Sequence, residues 1–157
     1  MVRASLAVSL LVAAPSCPDL YSLATHGFTV PTLQAASATA APDPAGMRMT
    51  VAFAVTNPNP FPLSLSGVEY QVALRGTPVF AGTQQGLSVS EHGGITLSLP
   101  GVVDLHSAVF RQLVPGASTS YTISGVAHVD SPAGVPIEVE FSRDGTVLVP
   151  SQLPAAP

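Results

Sequence analysis

The chain has 157 residues, 46% hydrophobic and only 9% charged; its five basic residues, all arginines, face nine acidic ones, for a net charge of −4. With no lysine and no basic stripe, nothing neutralises a run of phosphates, which excludes a nucleic-acid partner. Sixteen prolines and thirteen glycines among many Val, Thr and Ser residues favour short strands and turns over helices, and the length suits one domain.

Residues 1–16 have the layout of a secretory signal. Arg3 supplies the positive start, Ala4 to Ala14 is apolar apart from Ser5 and Ser9, and small residues lead to Cys17. That run is too short to span a bilayer. Cys17 is the sole cysteine, so an internal disulfide is excluded. Leu11-Val-Ala-Ala-Pro-Ser-Cys17 resembles a bacterial lipoprotein signal, in which the cysteine becomes the lipidated first residue of the mature chain. Ala14 stands where that pattern usually has leucine, and Pro15 is unusual; ordinary secretion with a free cysteine near the cut is the competing reading. The resemblance implies a membrane anchor on Cys17, each buried methylene adding about 0.8 kcal/mol. Pro18, in place of aspartate, is similar to lipoproteins sorted to an outer membrane. The expected location is therefore across the inner membrane, as an outer-membrane or periplasm-facing lipoprotein. Residues 17–26 read as a tether, 27–150 as one domain, and 151–157 as a tail.

Gly27 to Gln34 reads as a first, edge strand interrupted at Pro31, and Ala35 to Gly46 as a loop without periodicity. Met47, Met49, Val51, Phe53 and Val55 alternate with polar or small residues, as a half-buried strand requires. Next comes Asn57-Pro-Asn-Pro-Phe-Pro62. Its prolines fix φ and remove donors, so no helix or central strand runs through it. Asn57 and Asn59 are the only asparagines; their amides suit either a capped turn or a hydrogen-bonding tip for a partner, and the turn is preferred.

Leu63 and Leu65 are apolar at odd positions, whereas Val68, Tyr70, Val72 and Leu74 are even. A bulge at Ser66-Gly67 reconciles the two halves on one face. Further strands are expected at Pro78 to Gln85, at Leu87 to Ser90, and through Ile95, Leu97 and Leu99. One short helix is expected from Asp104 to Leu113, with Asp104 as N-cap and Leu105, Ala108, Val109 and Leu113 on one face. Tyr121, Ile123, Ala127 and Val129 form another inward row, and Val135, Ile137, Val139 and Phe141 another, facing out through Glu138 and Glu140. Asp144-Gly145 signals a tight hairpin returning through Val147 to Val149. The sum is an all-β chain with one short helix: an antiparallel β-sandwich of seven to eight strands.

Asn57-Pro-Asn-Pro-Phe-Pro-Leu63, Gly67-Val-Glu-Tyr70, Pro78-Val-Phe-Ala-Gly82 and Tyr121-Thr-Ile-Ser-Gly125 together resemble the WHy (water stress and hypersensitive response) domain of group-2 late-embryogenesis-abundant proteins, and Val135-Pro-Ile137 to Gly145-Thr-Val-Leu-Val-Pro150 is similar to that family's last hairpin. The resemblance runs from about Gly27 to Pro150. It implies a fibronectin III/immunoglobulin-like sandwich, a role in desiccation or stress tolerance, and no catalytic residues or cofactors. Asn57, Pro58, Asn59, Pro60 and Gly67 carry the motif and are expected to be structural. The lipid-type signal departs from the plant members and favours a cell-envelope version, with weak protein or membrane clients.

Chemistry is otherwise sparse. His26, His92, His106 and His128 share no short metal-ligand spacing, so no metal is expected. No Gly-x-Ser-x-Gly elbow exists, and Ser118 fails the pattern. Glu138 and Glu140 form a carboxylate pair two apart on a strand, better explained by a solvated face than by acid/base work or calcium. Two other functions stay open: a module docking an envelope partner by a sheet edge such as Gly27 to Gln34, and a sandwich holding an acyl chain in an apolar groove.

Overall fold

In the computed structural model, which describes residues 27–131 and 133–154, seven strands form two stacked sheets. They are β1 (Thr32–Asp43), β2 (Gly46–Thr56), β3 (Leu63–Leu74), β4 (Thr77–Val89), β5 (Gly94–Asp104), β6 (Ser118–Asp130) and β7 (Pro136–Leu148). One sheet has the order β1-β2-β5 and the other β4-β3-β6-β7, every neighbouring pair antiparallel. This three-on-four partition makes a fibronectin III-like sandwich. Residues 1–26, on which the expected signal, Cys17 and the expected tether fall, lie outside the described residues.

The inward rows fill the space between the sheets. Met47, Met49, Val51, Phe53 and Val55 are fully buried on β2, facing Val68, Val72 and Leu74 of β3 and Ile123 and Val129 of β6. The phase slip in β3 is a bulge: its register against β6 shifts between Leu65 and Gly67, so Ser66 is the extra residue. Leu65 and Val68 are consequently both buried despite opposite parity. Leu153 packs against the core beyond Pro150.

Five expectations differ from the structure. The first strand begins at Thr32 and not at Gly27, because Pro31 has no donor and Thr29 spends its N–H and carbonyl on Asn59. Ala35 to Gly46 is not a loop; β1 pairs with β2 as far as Asp43, with one irregularity between Ala35 and Ser37. Its inward Ala38 and Ala40 are too small to produce a hydrophobic period, although they pack against the core. Leu87 to Ser90 is not a separate strand, because β4 runs unbroken through Gly86, which takes a φ of +69°.

The helix from Asp104 to Leu113 does not form. β5 extends through Asp104, whose carboxylate accepts from the His106 N–H at 2.7 Å, and only a 3₁₀ turn follows at Phe110–Gln112. Ser107 Oγ, ahead of the turn, accepts from the Phe110 N–H at 3.1 Å. Too few residues remain before Pro115 to repay helix nucleation. Val109, Phe110 and Leu113 instead join the buried core.

Asp144-Gly145 makes no hairpin. Both lie within β7, where Asp144 is opposite Thr122 and Gly145 opposite Tyr121. Thr122 Oγ1 donates to Asp144 Oδ1 at 2.6 Å, and a Cβ on Gly145 would stand 2.6 Å from the Tyr121 ring. The glycine makes room for an aromatic ring on the neighbouring strand. The same pairing recurs at Tyr70 opposite Gly82 and Phe141 opposite Gly125.

Candidate functional site

The asparagine–proline corner joins β2 to β3, and both its amides are buried, Asn57 at 0% and Asn59 at 1% exposure. Proline at 58, 60 and 62 leaves few backbone donors to the segment, so the side chains carry the hydrogen bonding. Asn57 Nδ2 donates to Phe61 O at 2.8 Å and to Ser90 O at 3.0 Å, which ties the corner to the β4–β5 turn. Asn57 Oδ1 accepts from the Asn59 N–H and from Asn59 Nδ2, each at 2.9 Å. Asn59 then reaches the segment before β1. Its Oδ1 accepts from the Thr29 N–H and its Nδ2 donates to Thr29 O, both at 2.7 Å.

Backbone bonds complete the clamp: Asn57 N–H donates to Gly93 O at 2.8 Å, and His92 N–H to Asn59 O at 2.9 Å. His92 holds a left-handed backbone, φ +44°, in that turn. Pro58 and Pro60 face solvent, and Gly67 is buried beside the bulge. Three chain segments therefore meet on two amides whose polar atoms are all engaged. Neither amide is free for a partner.

The four-stranded sheet gathers charge on its outward side. His128 of β6 stands between two carboxylates: Nε2 is 3.7 Å from Glu69 Oε1 on β3, and Nδ1 is 3.8 Å from Glu138 Oε1 on β7. Sequence spacing had no means of showing this trio, since Glu69 lies 59 positions from His128 and the strand register alone brings them together. Glu140 remains on that solvated face beside Glu138. Among the described residues no group of three or more His, Cys, Asp or Glu side chains is placed to hold a metal ion.

A shallow hollow opens at the lateral seam between β1 and β7, lined by Pro31, Leu33, Val139, Glu140, Phe141 and Arg143. The Arg143 guanidinium donates to Leu33 O at 3.3 Å and to Ser142 O at 2.7 Å, bracing the seam through backbone carbonyls. Phe141 closes its floor against Phe53, with ring centroids 4.7 Å apart. No nucleophile–base pair converges here.

The sequence profile of the late embryogenesis abundant protein family matches residues 52–145. No curated protein matches the sequence. Among solved structures, a late embryogenesis abundant protein determined in solution superposes with a TM-score of 0.66 at 15% identity, covering 85% of this chain and 79% of that one. An Arabidopsis thaliana protein, also determined in solution, gives 0.63 at 14% identity over 92% of this chain and 93% of its own. A protein from Archaeoglobus fulgidus gives 0.54 at 15% identity over 75% and 98%. At such identities these structures share the fold alone.

Proposed function

The chain belongs to the late embryogenesis abundant protein family, and on that basis we propose that it is a non-catalytic, WHy-type protectant of the cell envelope, acting during drying or related stress. One observation supports this reading above the others. The polar side chains that a catalytic or ligand site would use at the motif, Asn57 and Asn59, are consumed by the fold itself. What remains for function is the outer surface, lightly charged and rich in hydroxyls. Such a surface acts by many weak contacts on clients.

The test is protection of a drying-sensitive enzyme and of lipid vesicles by the purified full-length chain. Retained enzyme activity and retained vesicle contents support the proposal; no effect beyond that of an unrelated globular protein ends it. Anchoring belongs to the same proposal: Cys17 carries the acyl groups that hold the domain on a membrane. Intact-mass measurement of the mature protein from a bacterial membrane fraction decides this, and an unmodified cysteine removes the anchor.

A second reading, docking of an envelope partner by a sheet edge, draws support from β1. It is an outer strand of its sheet and carries no charge from Thr32 to Pro42. A single stoichiometric partner recovered with the protein from membranes favours it. An acyl-binding sandwich has less support, since Phe53, Met47, Met49, Leu63 and Leu65 fill the space between the sheets.

A further inference from the structure

Three of the four arginines among the described residues spend their guanidinium groups on acceptors within the protein. Arg48 donates to Asp43 Oδ2, Arg111 to His106 O, and Arg143 to Leu33 O and Ser142 O. Among the described residues Arg75 has neither a side-chain hydrogen bond nor an ion pair, although the chain carries nine acidic residues against five basic ones. Its backbone is unusual as well. Arg75 and Gly76 form the two-residue turn between β3 and β4, with φ of +50° and +81°. The first position of such a turn favours Asn, Asp or Gly over a long side chain. The Arg75 N–H donates to Ser120 O at 3.1 Å, which holds the turn against β6.

The turn places Arg75 on a pocket of about 250 Å³ at the end of the sandwich, and no carboxylate lines that pocket. Gln112 contributes an amide to it, and Ser118 and Ser120, alternate residues on the outward side of β6, contribute hydroxyls. The remaining wall is apolar, with Leu113 and Val149 buried beneath and Val114 at the rim. Leu148 and Val114 are the two most exposed large apolar side chains among the described residues, at 63% and 62%. Leu148 stands opposite Ser118 on β7, so both border the same pocket. The wall is braced by its own backbone: Gly116 N–H donates to Val149 O at 3.1 Å, and Val149 N–H to Ala117 O at 2.9 Å. The pocket is therefore formed before any ligand arrives.

From this we infer that the pocket at the β3–β4 turn binds a small organic carboxylate, its carboxyl group on the Arg75 guanidinium and its hydrocarbon part against Val114 and Leu148. The site goes beyond the protective reading and does not depend on it. A guanidinium presents two parallel N–H groups at the spacing of two carboxylate oxygens. One cation balances one negative charge. A phosphate monoester carries about −1.5 to −2 at neutral pH, and the pocket offers it no second cation. A neutral ligand leaves the guanidinium unused, and a cationic one is repelled. The exposed valine and leucine favour an anion with a hydrocarbon tail over a bare one, because covering them removes apolar surface from water. The volume, below the roughly 300–1,000 Å³ of sites for drug-sized ligands, restricts the ligand to a small molecule.

The experiment is titration of the full chain with isovalerate at constant ionic strength, followed by NMR amide shifts, with isoamyl alcohol and inorganic phosphate as comparison probes. Isovalerate is expected to shift the amides of Arg75, Ser118 and Ser120 to saturation. The alcohol and phosphate are each expected to bind about tenfold more weakly or worse, and Arg75→Gln to weaken isovalerate by at least as much. Arg48→Gln removes the same charge away from the pocket and is expected to bind as wild type does. Val114→Glu, which sets a like charge on the rim, is expected to weaken isovalerate too and serves if Arg75→Gln does not fold. Absence of saturable shifts at those amides overturns the inference, as does undiminished binding by Arg75→Gln or by the folded Val114→Glu. Phosphate or the alcohol binding as tightly as isovalerate overturns it equally.

Discussion

Asn59 and Thr29 are joined by a reciprocal pair of 2.7 Å hydrogen bonds, side-chain amide to backbone peptide, across 30 residues of sequence. The amide mimics one rung of a sheet ladder. It does so where the proline-rich corner has no regular backbone rung to offer.

Asn59→Ala leaves the Thr29 N–H, the Thr29 carbonyl and Asn57 Oδ1 short of partners in a part-buried site. The expected loss is about 2–4 kcal/mol, which lowers the melting temperature by roughly 5–15 °C in a domain of this size. Thermal denaturation checks it. A melting temperature within a degree or two of wild type means the amide does not clamp the corner.

Gly125→Ala is expected to be severe. A Cβ there would collide with the Glu69 carbonyl oxygen on β3 and stand 2.7 Å from Phe141 Cζ. The carbonyl belongs to a central strand and cannot retreat without parting β3 from β6, so a cost of about 3 kcal/mol or more is expected. Gly76→Ala, at φ +81° with open space around it, costs only the left-handed backbone, about 1–2 kcal/mol. Urea denaturation of the two variants tests the order; equal stabilities would contradict it.

Deleting Ser66 removes the extra residue opposite β6 and leaves Leu63, Leu65, Val68, Tyr70, Val72 and Leu74 in one unbroken period of two, so both rows stay inward; what it disturbs is the pairing with β4, which is continuous from Leu65 to Gly67. A cooperative thermal transition below that of wild type is expected for this deletion. The substitution Ser66→Ala, which keeps the residue count, is expected to melt close to wild type. A deletion variant with no cooperative transition would show that the inward rows do depend on the bulge.

Asp43 is held below the usual carboxylate pKa of 3.8, first by the Ala45 N–H donated to its Oδ1 and then by the Arg48 side chain. A depressed folded-state value means that its contribution to stability is present above the unfolded pKa and is lost as pH falls through the folded one. The β1–β2 turn should therefore loosen only below about pH 4. Carboxyl chemical shifts followed by NMR are expected to place the Asp43 midpoint below 3.8, and Asp43→Asn is expected to flatten the acid limb. A midpoint above 3.8 refutes the assignment.

Tyr70 and Tyr121 respond at the other end of the scale. Burial raises both phenols above the ordinary value of 10.0. Their contribution is complete below that pH and is lost as pH rises through the folded-state values. Tyr70→Phe removes the bond donated to Pro100 O at 3.0 Å. It is expected to cost about 1 kcal/mol near neutrality and to move alkaline unfolding to higher pH. An alkaline midpoint unchanged from wild type counts against it.

The long rows were legible because they record one face of a sheet at period two. Met47 to Val55 and Tyr121 to Val129 needed nothing but alternation, and the parity change around Ser66 disclosed the bulge. β1 was not legible, since alanines bury too little to mark a face. Asp144-Gly145 misled because a glycine under an aromatic ring and a glycine in a turn look alike in one dimension. The helix expected after Asp104 failed because packing at the end of the sandwich claimed its apolar residues first.

By itself the sequence determined the all-β class, the inward rows, the stiff corner and the resemblance to a stress-protein family. These follow from local sterics and from the period of apolar side chains, which any stretch of chain carries within itself. Only the tertiary structure decided that Asn59 meets Thr29, that His128 sits between Glu69 and Glu138, and that Arg75 shares a pocket with Gln112, Ser118 and Ser120. Such partnerships depend on strand order and register, and register is set by how two sheets fill their shared interior, a property of the whole chain and of no single segment.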